Sequence, residues 1–388
     1  MIYFHWIAGT ILALAWFSRI VDAALGMPSV ADISKPEWDR KPSGNPRVSI
    51  IVPARNEEES IEQALNTLLA LDYDNYELIV VNDRSTDRTG EILARVQKDP
   101  RFSARMRVIE HNELPTGWLG KPHAMWTAAT QASGEWLLFT DADVLFKPDS
   151  LRRAITYAEE EKTDHLVVFP RMIMKRPGEF MMIAFFQTMF MFGHRPWKVA
   201  DPKAKDHMGV GAFNLVRRST YDSVGTYKAL RMEVLDDMKL GKVIKSAGFA
   251  QRNVFGDDLI SIRWARGAMG VVNNLTKNFF ALLSFQWWRT VLTAIALLYL
   301  NLGPFLGIAL AHGWARLPYG MALSAMFLIY LGMSWRSGVP PYYFLLHPVS
   351  TLLFTYTLFR SMFHTLKNDG VIWRGTKYPL EELRKGMV

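Results

Sequence analysis

The chain has 388 residues, 49% hydrophobic and 13% aromatic, with a formal net charge of +8 and no cysteine. Lack of cysteine excludes disulfides, thiolate catalysis and cysteine-ligated metals. The positive balance suits an anionic partner, whether nucleic acid, an anionic membrane surface or a phosphorylated substrate. No nucleic-acid-binding signature is present, and long apolar stretches favour the membrane; the length allows one large domain with additional parts.

Residues 2–17, IYFHWIAGTILALAWF, form an apolar run with no basic residue ahead of it, which argues against a cleaved signal peptide. Arg19, Lys35, Arg40, Lys41 and Arg47 follow. By the positive-inside tendency, residues 1–26 are an anchor with its N-terminus outside and its continuation in the cytoplasm. A buried hairpin helix is the alternative, because Arg19 and Asp22 shorten the span.

From about residue 45 to 268, short apolar runs alternate with amphipathic stretches. Val48–Ala54 (VSIIVPA) reads as a buried strand, followed by a helix over Glu57–Leu71. Tyr76–Asp83 (YELIVVND) is a second strand, then come a helix over Asp87–Lys98 and a third strand over Met106–His111. A helix from Pro122 to about Ala132 leads into a fourth strand, EWLLFTDAD, reaching Asp143. Asp149–Glu161 is a helix and His165–Pro170 a fifth strand. This alternation predicts an α/β domain whose mostly parallel sheet is covered on both faces. Ligands of such sheets bind beyond the carboxyl ends of the strands. Asp83, Asp141 and Asp143 all fall there.

Residues 179–193, EFMMIAFFQTMFMFG, read as a helix at the membrane interface or as a core helix of the domain. Residues 269–289, ending TKNFFALLSFQWWR, have the same character and lead into a membrane region over 290–363. That region holds three apolar runs, Thr290–Ala311, Pro318–Trp335 and Pro341–Phe363. The first reaches the roughly 20 residues that cross a bilayer; the second is short, and the third contains His347 and Pro348. The tail, 364–388, carries Lys367, Arg374, Lys377, Arg384 and Lys385 and should be cytoplasmic. Three crossings would put it outside, so one run is re-entrant or interfacial.

Asp141 and Asp143 stand at i and i+2 of the expected strand end, where side chains point the same way. Such a pair is a hard oxygen site for Mg²⁺ or Mn²⁺ that also holds phosphates; a solvated turn is the alternative. Asp83 can accept hydrogen bonds from a base or ribose, while Ser85, Thr86 or Asp87 would cap the next helix. Pro53 and Arg55 end the first strand beside it, and Arg55 can meet an anion or form a surface ion pair. Pro122 fits a first helical turn, which puts Lys121 at a helix N-terminus where anions bind, unless it is simply solvated. Asp236 and Asp237 begin another helix, as chemistry or as dipole stabilisation. The loop Pro196–Met208, with His207, reads as a flexible segment able to close over a site.

In order and spacing these features resemble the family 2 glycosyltransferases, which have a GT-A fold. The resemblance covers roughly Val48 to Arg266, and its most specific block is SIIVPARNEEESIEQALNTLLALDYDNYELIVVNDRSTDRT. It implies a nucleotide-sugar donor, UDP-linked or similar, bound by Pro53, Arg55, Glu57, Asp83, Lys121, Asp141, Arg263 and Trp264. Within that set it places Asp83 at the nucleobase and Glu57 near the ribose. It also implies that Asp141 and Asp143 hold the divalent metal and diphosphate, and that Asp237 is the general base. Asp236 stands where Glu is usual. Arg263-Trp264 resembles the end of a Q-x-x-R-W motif whose Gln position is Ile260 here, a departure that counts against processive synthesis.

The blocks GWLGKPHA, GVGAFNLVRR and IWRGTKY resemble membrane transferases that glycosylate lipids, such as ceramide glucosyltransferases and carotenoid or hopanoid-associated transferases. The resemblance therefore implies a multi-pass enzyme of the cell membrane, with a cytoplasmic GT-A domain flanked by N- and C-terminal transmembrane helices. It would move one sugar to a lipid hydroxyl with inversion. A processive polysaccharide synthase or a polyprenyl-phosphate sugar transferase is the alternative, and a non-catalytic membrane scaffold a third.

Overall fold

The computed structural model describes residues 2–388. It begins with one long helix, α1 (Ile2–Gly26). Strand β1 (Val48–Ala54) is buried at every position except Pro53. Its apolar, largely β-branched run suits a strand covered on both faces. Next come α2 (Ile61–Leu69), β2 (Tyr76–Asp83), α3 (Thr89–Gln97), β3 (Met106–His111) and α4 (Gly120–Gln131). They are followed by β4 (Trp136–Phe139), β5 (Val144–Phe146), α5 (Ser150–Glu160), β6 (His165–Phe169), β7 (Arg171–Met172) and α6 (Pro177–Gly193). The alternation closes with β8 (Asn214–Arg217), α7 (Arg218–Ser223), α8 (Thr226–Ala229), α9 (Asp236–Ser246), β9 (Gln251–Phe255) and β10 (Ile260–Ile262). The remaining helices are α10 (Gly267–Thr276), α11 (Phe279–Leu282), α12 (Trp287–Leu310), α13 (Leu317–Ser337) and α14 (His347–Lys367). A hairpin, β11 (Gly370–Trp373) and β12 (Thr376–Pro379), precedes α15 (Leu380–Lys385).

The chain divides into two compact units. The first combines Val30–Ile173, Lys198–Arg263 and Glu381–Val388. Its seven-stranded sheet has the order β3-β2-β1-β4-β8-β6-β9. All neighbouring pairs are parallel except β8, which runs antiparallel to both β4 and β6. The sheet is thus mostly parallel, as expected, with β8 its one antiparallel strand. Strand order reverses between β1 and β4, the switch point at which open α/β sheets bind ligands. A smaller sheet, β5-β10-β7, lies in the same unit. Two boundaries differ from expectation. β4 stops at Phe139, so Asp141 and Asp143 lie in the turn beyond it and not in a strand. α4 begins at Gly120, which places Lys121 inside its first turn.

A buried polar network joins the first residues of β6 and β9 to β8. His165 on β6 contacts Asn214 on β8 through Nε2, and its Nδ1 meets Gln251 Nε2 at 2.7 Å. Gln251 Nε2 also donates to the Gly241 carbonyl at 3.0 Å, and Oε1 accepts the Met208 N–H at 2.8 Å. Burial lowers His165 to about 4, so the ring is neutral and its Nδ1 accepts. One glutamine therefore ties β9 to α9 and to the loop before β8.

The second unit comprises the segment ending at Ser29, Met174–Trp197 and Trp264–Leu380. Three of its helical segments, Ile2–Ser29, Trp287–Leu310 and Gly313–Ser337, are long and apolar enough to cross a membrane among the described residues. Exposed Trp287, Trp288, Trp314 and Trp335 mark their ends, as interfacial aromatics do. The expected helix over 269–289 is instead broken into α10 and α11, and α12 starts at Trp287. α14, in the third apolar run, is not among the candidate spans. It buries His347, Ser350, Thr351, Thr357, Ser361 and Thr365. His347 is held by Tyr330 Oη on Nδ1 at 3.0 Å and Asn301 Oδ1 on Nε2 at 2.9 Å, which links α12, α13 and α14.

Gln251→Leu removes the partners of the Met208 N–H, the Gly241 carbonyl and His165 Nδ1 together. The expected cost is about 2–4 kcal/mol, checked by chemical denaturation of the purified protein.

Candidate active site

The site is built from loops at the carboxyl ends of β1, β2 and β4. The first two loops are laced together by short polar side chains. Asn56, at φ 53°, accepts the Thr86 N–H on Oδ1 at 2.8 Å, and its own N–H meets Ser85 Oγ at 3.1 Å. Asp87 accepts the Thr89 N–H at 3.0 Å and the Glu58 N–H at 3.1 Å, so it ties the start of α3 to the neighbouring loop, while the N-cap position itself is Arg88. The Glu57 N–H goes to Thr89 Oγ1 at 2.8 Å, and the Glu57 carboxylate accepts from Ser60 Oγ at 3.2 Å.

Asp83 ends β2 opposite His111 and is buried. Arg84 grips both of its oxygens, through Nε at 2.8 Å and Nη2 at 2.7 Å, and Arg55 Nη1 lies 3.8 Å from Oδ2. A base or ribose at Asp83 would share it with these guanidiniums. His111 approaches Asp83 at 3.9 Å and stacks on His123, which packs against Trp118 and Trp126. Burial, with His111 and Arg84 close by, brings His123 down to about 4. The imidazoles escaped the sequence reading because a lone histidine after a strand carries no pattern.

Asp141 follows β4, and the burial alternation continues through the turn: Ala142 packs into the core while Asp141 and Asp143 are half-buried. Lys121 Nζ stands 2.6 Å from Asp141 Oδ1 and 3.8 Å from Asp236 Oδ2. Burial opposes its charge, but Asp141, Asp236 and Asp237 outweigh it and hold the ammonium above the usual lysine range. Lys121 is therefore not simply a solvated side chain. It is the counter-ion of the acid cluster.

Gly211 joins the two ends of this cluster. Its N–H donates to Asp237 Oδ2 at 2.8 Å, and its carbonyl accepts the Asp141 N–H at 2.9 Å. A Cβ on Gly211 would lie 2.5 Å from Asp141 Oδ2, and one on Gly241 would lie 1.9 Å from the Met208 carbonyl. Only glycine permits such close approach of loop and helix. Asp237 Oδ1 takes the Met238 N–H at 2.7 Å, so both its oxygens are oriented. Asp237 thus lies in the first turn of α9 beside buried Asp236.

Ile262 pairs with Val144 across β10 and β5, so Arg263 leaves the small sheet next to the strand that Asp143 enters. Trp264 belongs to the other unit, where its ring packs on Phe186 with centroids 5.0 Å apart. His207 Nδ1 lies 3.2 Å from the Lys205 carbonyl of its own loop. The structure thus brings Lys121, Asp141, Asp236 and Asp237 together, and gathers Arg55 with Asp83. Pro53 stands where β1 has outrun β4, so its missing N–H breaks no ladder bond on that side.

Among the described residues no three Asp, Glu or His side chains converge closely enough to cage a metal ion. The donor chemistry nevertheless fits one. Asp141, Asp236 and Asp237 all bear on the one ammonium of Lys121, and Asp143 lies two residues beyond Asp141. A hard divalent cation that takes one or two carboxylates and completes its shell with phosphate and water suits that set.

The glycosyl transferase family 2 model matches residues 49–237. The 4,4'-diaponeurosporenoate glycosyltransferase of Staphylococcus aureus is 26% identical over 351 residues, 86% of this chain and 89% of that protein. The protein of the same name from Staphylococcus haemolyticus is 24% identical, over 62% of this chain and 64% of the other. A mannosyltransferase from Pyrobaculum calidifontis, solved with GDP-Man and Mn²⁺, superposes with a TM-score of 0.56 at 21% identity, covering 93% of this chain and 99% of its own. That superposition shows a shared GT-A fold.

Gly211→Ala is expected to reduce turnover about 100-fold or more while the protein stays folded, measured as initial rate beside a thermal melt.

Proposed function

The chain is a family 2 glycosyltransferase, and from that premise we propose that it moves a single sugar from a nucleotide-sugar to a membrane lipid, with inversion and with a divalent metal. The observation that carries this reading is the convergence of Asp141, Asp236, Asp237 and Lys121 at the switch point of the sheet.

In this reading Asp83 takes the nucleobase, with Arg55 and Arg84 fixing its carboxylate, and Glu57 lies on the ribose side. Asp141 and Asp143 would hold the Mg²⁺ or Mn²⁺, which when bound stabilises charge on the leaving diphosphate. Lys121 and Arg263 add positive charge on the same side. Asp237, oriented by the Gly211 and Met238 N–H groups, accepts the proton of an acceptor hydroxyl as its oxygen attacks the anomeric carbon. Attack opposite the departing diphosphate inverts that carbon. The lipid acceptor is supported by the apolar helices and by the relatives' names, which specify a carotenoid-type acid. Those names also favour a second reading, in which the nucleophile is a carboxylate that needs no deprotonation.

Asp237→Asn separates the two readings. With radiolabelled UDP-sugar and extracted membranes, transfer to a hydroxyl is expected to fall by about 10²-fold or more. Full retention removes Asp237 from the role of base and favours the carboxylate acceptor. A water-soluble polymer as product would instead support the processive alternative.

Chain continuity supports a membrane topology for this reading. The chain leaves the sheet-bearing unit at Arg263 and rejoins it at Glu381. Within that unit, Gly386 abuts Met232, and the Val388 N–H is bonded to Glu233. This supports an even number of crossings in the intervening segment, which α12 and α13 satisfy and α14 need not alter. By the same logic α6, which departs after Ile173 and returns at Lys198, does not cross. With α1 as a third span, the basic residues that follow it and those of the tail favour the cytoplasmic side for the sheet-bearing unit. The chain contains no cysteine, so single cysteines report sidedness directly. In intact cells an impermeant maleimide is expected to label His312→Cys and not Lys377→Cys; labelling of both or neither contradicts two crossings.

A further inference from the structure

The acid cluster contains one feature that donor binding alone does not require: an ammonium already seated among the carboxylates. Asp141 and Asp237 are positioned by backbone, since Gly211 bonds the main chain of one and the side chain of the other. Asp236 is fixed in the first turn of α9 and is 3% exposed. Lys121 differs from them. Its charge sits at the end of a flexible four-carbon stem, 2.6 Å from Asp141 Oδ1, on the oxygen set a divalent cation would use. Two cations cannot share that carboxylate at such distances without strong mutual repulsion. The acids are thus preformed and the lysine is the movable member.

We propose that Lys121 is a tethered counter-ion that neutralises the acid cluster before the donor arrives, and that it must surrender Asp141 to the divalent cation that enters with the nucleotide-sugar. Its ammonium then turns to the diphosphate. The inference rests on the metal-dependent reading above. It makes cation binding weaker than the acids alone would allow, and so coupled to the donor.

The test is Mn²⁺ binding to the full-length protein in detergent, without sugar nucleotide, followed by the electron paramagnetic resonance signal of free Mn²⁺. Lys121→Met keeps the stem and removes the charge. It is expected to bind Mn²⁺ about tenfold or more tightly than the native chain, and to bind UDP in the presence of Mn²⁺ more weakly. Lys121→Arg, which keeps the charge, is expected to bind Mn²⁺ no more tightly than native. Should Lys121→Met prove unstable, the rise in its melting temperature on adding Mn²⁺ is expected to exceed the native rise. Equal Mn²⁺ affinity in native and Lys121→Met proteins overturns the counter-ion role and leaves the metal reading standing. Absence of binding in both, with and without UDP, overturns the metal reading and this inference with it. Undiminished binding in the double variant Lys121→Met with Asp141→Asn places the ion elsewhere and also overturns it.

Discussion

Like charges brought together at the end of a buried strand need something stiff to hold them, and here it is backbone. Gly211 bonds the Asp141 amide through its carbonyl and the Asp237 carboxylate through its N–H. The acids do not hold one another; a loop holds both. That loop is itself pinned by the Met208 N–H to Gln251, whose amide also reaches Gly241 on α9 and the buried His165. The chemistry at the rim of the sheet is therefore continuous with polar groups in its core. Such networks rigidify a site when every member is satisfied.

Electrostatics then divides the site into two neighbourhoods. Around Asp83, positive groups outnumber the carboxylate, with Arg84 bidentate and Arg55 behind it. Around Lys121 the balance reverses, and three acids surround one ammonium. A nucleotide-sugar has a polar uncharged base and a charged diphosphate, so it needs different partners at its two ends. The first neighbourhood suits a ligand that shares a carboxylate through hydrogen bonds; the second suits one that arrives with its own cation.

Much of this was legible from residue pattern. Continuous apolar runs such as YELIVVND have no other stable use than a covered strand, and β1, β2 and β3 start and end where the pattern does. The strand preceding Asp141 was drawn too long, because apolar residues continue past the last ladder bond and FTDADVLF alternates like a strand while it turns. β8 was missed as a strand: four residues leave no period to count, and nothing local shows that they run against their neighbours. Asp141, Asp237 and Lys121 were named as candidates, but their meeting depends on Gly211 and Gly241, whose role is a matter of space and not of chemical type. The third apolar run looks like the other two in the sequence, yet α14 is not among the helices long and apolar enough to cross a membrane. The polar face of α14 is interleaved with aromatics, so the run looks apolar until its buried hydroxyls are seen bonding their own helix.

The contact between residues 381–388 and Glu233 has a consequence for synthesis. Glu233 lies three residues before α9, whereas its partner is the Val388 amide, 155 positions later. Everything in α12 and α13 is translated between them. The sheet and its acids can collapse early, but the Glu233 environment is completed only after both apolar helices have left the ribosome. Chain order thus sets a sequence of assembly, in which the Glu233 contact beside the acid-bearing helix forms once both apolar helices have been made.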